Sequence, residues 1–227
     1  MAAEAMPDAL VSISIVSHGQ AALAGKLLHD LASAVSVDVH VILTLNIPES
    51  LPFDAGKFPF PITLVRNTSR KGFGANHNAA FAHCRAPYYC VANPDIRLGQ
   101  DPFGPLLRLA ARPGTGVVAP LVVAPDGSVE DSARAFPSPL SILHKAIATP
   151  VREEVPALPD GSALSPDWVA GMFMLFDRNT FDLIGGFDER YFLYYEDVDL
   201  CARLAERSLK VLVCPPVSVV HDAQRTS

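Results

Sequence analysis

Three short stretches of this chain carry residue types that can do chemistry together. The first is Asn93-Pro94-Asp95, directly after the apolar run Tyr88-Tyr89-Cys90-Val91-Ala92. A carboxylate just past a strand can hold a hard cation, and a cation there can neutralise phosphate oxygens. Asn, Pro and Asp also favour plain turns, so a turn and a metal site both fit this tripeptide. The second is Lys71-Gly72-Phe73-Gly74-Ala75-Asn76-His77-Asn78. It begins like the dinucleotide fingerprint GxGxxG, but His77 stands in the place of the third glycine. Glycines ahead of a helix still permit close ligand approach and offer N–H donors to an anion. A simple strand-to-helix turn explains them equally. The third stretch runs from Gly185-Gly186-Phe187-Asp188-Glu189 into Tyr191–Leu200, YFLYYEDVDL. There Glu196, Asp197 and Asp199 crowd in behind an aromatic run. Like charges beside aromatic bulk can raise one carboxyl pKa toward that of a useful base. They equally complement the exposed N–H groups and positive dipole end of a helix N-terminus. His221, after the apolar VSVV, reads either as a metal ligand or as an ordinary hydrogen-bonded histidine.

The elements that must position these residues read as alternating strands and helices. Val11–Ser17 alternates apolar and polar residues with β-branched types and predicts a strand. Gln20–Ala34 has Leu23, Leu27, Leu28 and Leu31 at helical spacing. Strands are expected at Val37–Leu45, Ile62–Arg66 and Tyr88–Ala92, with a helix over Gly74–Arg85. This β-α-β-β-α-β order implies an α/β sheet with parallel strands and crossover helices. Ligands in such sheets bind at the carboxyl ends of the strands, where Asp95 lies. Farther on, the sequence predicts a helix at Pro102–Ala111, a strand pair at Gly116–Ala124 and a turn at Pro125-Asp126-Gly127. Prolines recur from Ser138 to Pro166 without periodicity, so a long irregular or mobile excursion is expected. A strand at Val169–Phe176, helices at Arg178–Ile184 and Glu196–Arg207, and short strands at Leu209–Val213 and Val217–Val220 complete the chain.

Composition narrows the classes. The 227 residues are 49% hydrophobic and 19% charged, enough for one large core. A net charge of -6 without basic tracts argues against a nucleic-acid partner. No apolar run approaches the ~20 residues of a membrane span, and MAAEAMPDAL lacks the basic start and apolar core of a signal peptide. Cys84, Cys90, Cys201 and Cys214 show no metal-binding spacing, so they read as buried free thiols.

Taken in order, VSISIVS, KGFGANHNAAF, NPDI, WVAGMFMLFDRNTFDLIGGFDERYFLYYEDVDLCARL and a histidine after a short strand resemble the inverting glycosyltransferases of family 2, in particular the rhamnosyltransferase-like branch. The resemblance spans nearly the whole chain, and GGFDERYFLYYEDVDLCARL is its most specific part. It implies the GT-A fold, a Rossmann-like, mostly parallel mixed sheet flanked by helices. It implies one domain over 1–227, with a nucleotide-sugar half about 1–115 and an acceptor half about 116–227.

The resemblance also implies roles. Asp197 matches the general base, which deprotonates an acceptor hydroxyl for attack on the anomeric carbon. Asp95 matches the aspartate that binds a divalent metal, Mn²⁺ or Mg²⁺, and His221 a histidine that completes the metal shell in some relatives. Asn46, Gly72, Gly74, Asn78, Asn93, Trp168, Gly171, Asp188 and Glu196 fall at substrate-binding positions. The donor would be a nucleoside-diphosphate sugar, dTDP- or UDP-linked, and the acceptor a glycan or lipid-linked hydroxyl. The setting would be bacterial surface polysaccharide synthesis in the cytoplasm, with the inner face of the plasma membrane as a place of contact. Two departures bear on the nucleobase. Leu45 stands where relatives carry the aspartate of VVDN, and Val16-Ser17-His18-Gly19 replaces a Thr-Tyr-Asn type of sequence. A degenerate nucleotide-sugar-binding module and a metal-dependent phosphoesterase are the rival readings.

Overall fold

Strand-forming runs such as VHVILTL and TGVVAPLVV offer apolar side chains to both sides, so the sheet they form needs cover on both faces. The computed structural model describes residues 9–136 and 155–222. Among these, eight strands form one sheet in the order β3-β2-β1-β4-β9-β6-β10-β5. The strands are β1 (Val11–Ser17), β2 (Val39–Leu45), β3 (Ile62–Arg66), β4 (Tyr88–Ala92), β5 (Ile96–Arg97), β6 (Thr115–Val123), β9 (Phe173–Asp177) and β10 (Lys210–His221). A separate antiparallel pair joins β7 (Ala133–Arg134) to β8 (Trp168–Val169). Strands β3, β2, β1 and β4 are mutually parallel, and β6 and β10 run the same way. Only β9 and β5 are reversed. The carboxyl ends of six strands therefore share one edge.

The helices are α1 (Ala21–Ala34), α2 (Phe73–Phe81), α3 (Phe103–Ala110), α4 (Arg178–Leu183) and α5 (Glu196–Glu206). Strand alternation sorts the core into two layers. Cys90 and Ala92 of β4 pack with Leu27, Leu28 and Leu31 of α1 and Phe103 and Leu106 of α3. Tyr89 and Val91 of the same strand pack on the other face with Ala80 of α2, Phe181 of α4 and Leu200 and Leu204 of α5. All four cysteines are free and buried, as expected. Burial pushes the Cys201 thiol up to about 12.

Several boundaries differ from the sequence reading, each for a local reason. Helix α2 stops at Phe81, where the Cys84 amide donates to the Phe81 carbonyl in a tight turn ahead of Pro87. Gly116–Val123 lies in one strand, β6, because its neighbours β9 and β10 come from far along the chain. The expected strand Val169–Phe176 is broken by a turn at 170–172 that separates β8 from β9. The two short strands expected near the end are one strand, β10, interrupted in its pairing. Cys214 lies opposite Pro120 and Ser218 opposite Leu121, so Pro215, Pro216 and Val217 form a bulge. Prolines suit that place because a bulge needs fewer ladder donors.

Most of the Ser138–Pro166 excursion lies outside the described residues. Its described part is not loose. Leu164 exchanges two 2.9 Å backbone hydrogen bonds with Val213, Ala163 is buried, and Arg112 holds Asp160 and Ser162 at 3.1 and 2.7 Å near the amino end of β6. That part starts beside the amino end of β6 and pairs with Val213 inside β10 before the chain enters β8.

Candidate active site

Asp95 and His221 are brought together by sheet register. Asp95 precedes Ile96, which pairs with His221 across the antiparallel β5–β10 ladder. Asp95 Oδ2 lies 3.3 Å from His221 Nε2. The other ring nitrogen, Nδ1, lies 2.9 Å from Oε2 of Glu130. The hairpin that follows β6 turns at 125–127 and anchors Glu130 by its amide on the Val122 carbonyl, 2.9 Å away. The imidazole is thus held between two carboxylates. Their hydrogen bonds, that of Asp95 foremost, push its pKa up to about 9. Asp95 Oδ1 is buried without a hydrogen-bond partner, an orphaned acceptor that a divalent cation would satisfy. The pair fits such an ion once the ion displaces the Nε2 proton: one hard oxygen and one neutral imidazole, with Glu130 fixing the ring from behind. Among the described residues no group of three or more His, Cys, Asp or Glu side chains closes around one ion position. Two protein ligands would leave most positions of an octahedral ion to phosphate oxygens and water, which suits a Mg²⁺- or Mn²⁺-type site.

Asp197 opens α5. Its Oδ2 accepts the Gly171 amide at 3.1 Å and its Oδ1 the Val198 amide at 2.8 Å. It stays partly exposed, whereas Glu196 is buried with Oε2 unpartnered. Burial, helped by the neighbouring Asp197 charge, raises the Glu196 pKa. The carboxyl that the environment pushes up is therefore Glu196. Asp199 turns away to an ion pair with Arg203 at 2.8 Å.

The 170–172 turn links the two carboxylate sites. Its Gly171 amide holds Asp197, and its Met172 carbonyl accepts the Asn93 amide at 2.9 Å, two residues before Asp95. A Cβ on Gly171 would sit 3.0 Å from the Phe73 ring. Trp168, just before the turn, carries the Arg134 guanidinium 6.0 Å over its ring.

The glycine loop is held from below by asparagines. Asn46 Oδ1 accepts the Lys71 amide at 2.9 Å and its Nδ2 donates to the Lys71 carbonyl at 2.9 Å. Asn67 bridges Asn46 and Asn76, and Asn76 donates to the Gly72 carbonyl at 2.8 Å. Gly72 is needed for close approach, since a Cβ there would lie 2.6 Å from the Phe192 carbonyl oxygen. Gly74 is similarly pressed against Phe187. Asn78 spends its amide on the backbone of Phe187, accepting at 2.9 Å and donating at 2.8 Å. It clamps the Gly185-Gly186 turn, where both residues have φ near +70° and only glycine is comfortable. Asp188 is bound by Arg190, whose guanidinium holds its carboxyl down at about 2.

Sequence reasoning missed Glu130, the asparagine lattice of Asn67 and Asn76, and Glu49. The Glu49 carboxylate accepts the Gly19 and Ala21 amides at 3.2 and 2.9 Å and so caps α1. The turn at 125–127 was a signal that Glu130 folds back on β6. Nothing in the sequence pointed to its partner 91 residues away.

Residues 49–156 match the profile of Glycosyl transferase family 2. Over 139 residues the chain is 37% identical to the N-acetylglucosaminyl-diphospho-decaprenol L-rhamnosyltransferase of Mycobacterium tuberculosis, covering 58% of this chain and 45% of that protein. The chain is a relative of the family 2 glycosyltransferases. Rhamnosyltransferase WbbL of Escherichia coli is 28% identical over 161 residues, covering 67% of this chain and 61% of its own. The chain spans about half the length of the curated proteins it matches. Among solved structures, mannosyltransferase PcManGT from Pyrobaculum calidifontis, in complex with GDP-Man and Mn²⁺, superposes with a TM-score of 0.67 at 16% identity, covering 96% of this chain and 58% of that one. GalNAc-T7 with UDP, GalNAc and Mn²⁺ gives 0.68 at 15% identity, covering 96% and 44%. The fold of the chain is GT-A.

Proposed function

We propose that this chain transfers a sugar, with inversion, from a nucleoside-diphosphate sugar to a hydroxyl of a glycan or lipid-linked acceptor in surface-polysaccharide synthesis. The observation that carries this reading is the turn at 170–172, which ties Asp197 to the Asp95–His221 pair at the carboxyl edge of the sheet. In this reading Asp197 takes the proton of the acceptor hydroxyl while its oxygen attacks the anomeric carbon. The bond from that carbon to the diphosphate oxygen breaks, and the nucleoside diphosphate leaves from the opposite face. Asp95 and His221 would hold a divalent cation, which would offset the charge growing on the diphosphate. The donor would rest on the first half, about 1–115, and the acceptor on about 116–227, with His221 and Glu130 reaching back to complete the donor side. The rhamnosyltransferase relatives support the reaction class, and the Mn²⁺ in both neighbouring structures supports the metal. Among the described residues no helix is long and apolar enough to cross a membrane.

A screen of UDP-, dTDP- and GDP-sugars, each with Mn²⁺ and a glycan acceptor, tests the reading. The expected result is acceptor-dependent release of nucleoside diphosphate from one donor class, abolished by chelation and by Asp95→Asn. Donor binding without turnover across a wide acceptor panel points to a binding module. Release that ignores the acceptor points to a phosphoesterase.

A further inference from the structure

Among the described residues the sheet ends in two edge strands, and they are finished differently. At one end β5 is two residues long, Ile96 is buried, and Arg97 is bound through Nε and Nη2 to Asp30 of α1 at 2.6 and 2.8 Å. A short strand closed by an ion pair offers little to another chain. At the other end β3 runs five residues, Ile62-Thr63-Leu64-Val65-Arg66, in unbroken register with β2. It contains no proline, lysine or bulge, its one charge stands at its end, and Leu64 in its middle is 36% exposed. The devices that blunt a sheet edge are thus present at β5 and missing along β3.

Register fixes which backbone groups of β3 are spent. Val41 donates its amide to the Pro61 carbonyl at 3.0 Å, and Asn67 donates to the Leu45 carbonyl at 3.0 Å. Along a strand the groups facing one neighbour alternate, so Pro61, Thr63, Val65 and Asn67 face β2. The N–H and C=O groups of Ile62, Leu64 and Arg66 therefore point away from the sheet, and among the described residues nothing bonds to them. That row is complementary to itself. A two-fold axis at Leu64 brings a second copy alongside, antiparallel, with Leu64 opposite Leu64 and Ile62 opposite Arg66. Each outward residue then falls in a hydrogen-bonded pair that exchanges both N–H···O bonds. The two Arg66 side chains end on opposite flanks of the join, so no like charges meet, and Leu64 covers its own copy. Pro61 before the strand and the bend at 68–69 after it confine the pairing to this length. Recognition of a foreign peptide by strand addition takes its specificity from side-chain pockets beside the edge. A second copy needs none, because the row already matches itself.

We propose that β3 is a self-association edge, through which two copies of this chain join antiparallel about Leu64 into one continuous sheet. The join lies directly before Asn67, whose side chain bridges Asn46 and Asn76 under the glycine loop. Pairing therefore braces the lattice that holds that loop. The inference stands apart from the sugar-transfer reading, because association is read without turnover.

The test is sedimentation equilibrium of the full chain across a wide range of concentration, where a monomer–dimer equilibrium is expected. Leu64→Pro removes an outward N–H and leaves the ladder to β2 whole, because Leu64 donates nothing to it. It should raise the dimer dissociation constant at least about tenfold. Leu64→Lys keeps the backbone and sets two cations face to face at the axis, so it carries the test if the proline variant does not fold, with the same expected direction. Leu64→Cys reports the register. It should crosslink to its own copy on mild oxidation, since the Cα atoms of a hydrogen-bonded pair lie about 5.5 Å apart, within disulfide reach, and the four native thiols are buried. A chain that stays monomeric at every concentration overturns the proposal. So does a dimer indifferent to the folded Leu64 variants, or one that Leu64→Cys fails to crosslink.

Discussion

Asp95 and Asp197 reach the same edge of the sheet by different routes. Asp95 sits between two strands, and its partner His221 is delivered by ladder register, with Glu130 behind it on a hairpin of β6. Every member of that group is set by strand pairing. Asp197 follows a loop that no strand supports. It is placed by a glycine turn, by Gly72 pressed under Phe192, and by two left-handed tyrosines, Tyr194 and Tyr195. The strand-built site can fix charged groups in a preset line, as a cation and a diphosphate require. The loop-built site exposes its base and its aromatic rim, as an acceptor that must come and go requires. The contrast matches the division of labour proposed for the two halves.

Substitutions can break this contrast at either end. The largest effect is expected from Asp197→Asn, which keeps the shape, can retain one of the two amide contacts and removes the proton acceptor. Turnover should fall ~10²-fold or more, with donor binding kept in calorimetry. Near-normal turnover in the purified variant would show that the loop site does not supply the base. Gly72→Ala strikes the support of the same loop. The obstructing atoms are backbone, so the cost should be about 1–3 kcal/mol, read as a lowered Tm. Gly99→Ala, where a Cβ meets nothing within 4 Å, is the control and should stay within about 0.5 kcal/mol.

Glu130→Gln acts on the strand-built site alone. It keeps the shape but no longer holds the imidazole with a charge, so Mn²⁺ affinity should drop about tenfold by titration calorimetry, with Tm little changed. An unaltered affinity would mean that the Glu130 charge does not support the ion site. The smallest effect concerns His77, which lies under the glycine loop with Nδ1 2.8 Å from Ser14 Oγ. Burial depresses its pKa to about 3 from an ordinary 6.5. The folded state therefore stays neutral while the unfolded state takes up a proton, so this contribution is whole above pH 6.5 and is lost as pH falls toward 3. Between pH 7 and 6 stability should decline by about 0.7 kcal/mol from this group. Urea titrations of the parent and of His77→Gln at the two pH values would show the difference.

The sheet was legible because its strands are runs of β-branched and apolar residues that follow one another closely. β1, β3 and β4 have the boundaries that alternation and composition predict. The break inside WVAGMFMLF was not legible, since the run is apolar throughout and only its place between β7 and β4 decides where it turns. Asp95, His221 and Asp197 stood out by type and by family resemblance. Their supports did not. Glu130 meets His221 across 91 residues, and Asn46, Asn67 and Asn76 read one by one as turn formers. Such contacts are fixed by topology, and no local pattern encodes them. The left-handed tyrosines run against local preference and could be seen only once the loop was in place.

The bulge in β10 sets how far the strand reaches. Between Cys214 and Ser218 the chain advances four residues while β6 advances one, from Pro120 to Leu121. That surplus of three is odd, so the side-chain alternation beyond it is inverted relative to the strand before it. Deleting either proline would retract the tip of β10 by about 3.3 Å and turn His221 to the opposite face, away from Asp95. The histidine's address is thus written as a length of chain, and in this stretch the number of residues matters more than their identity.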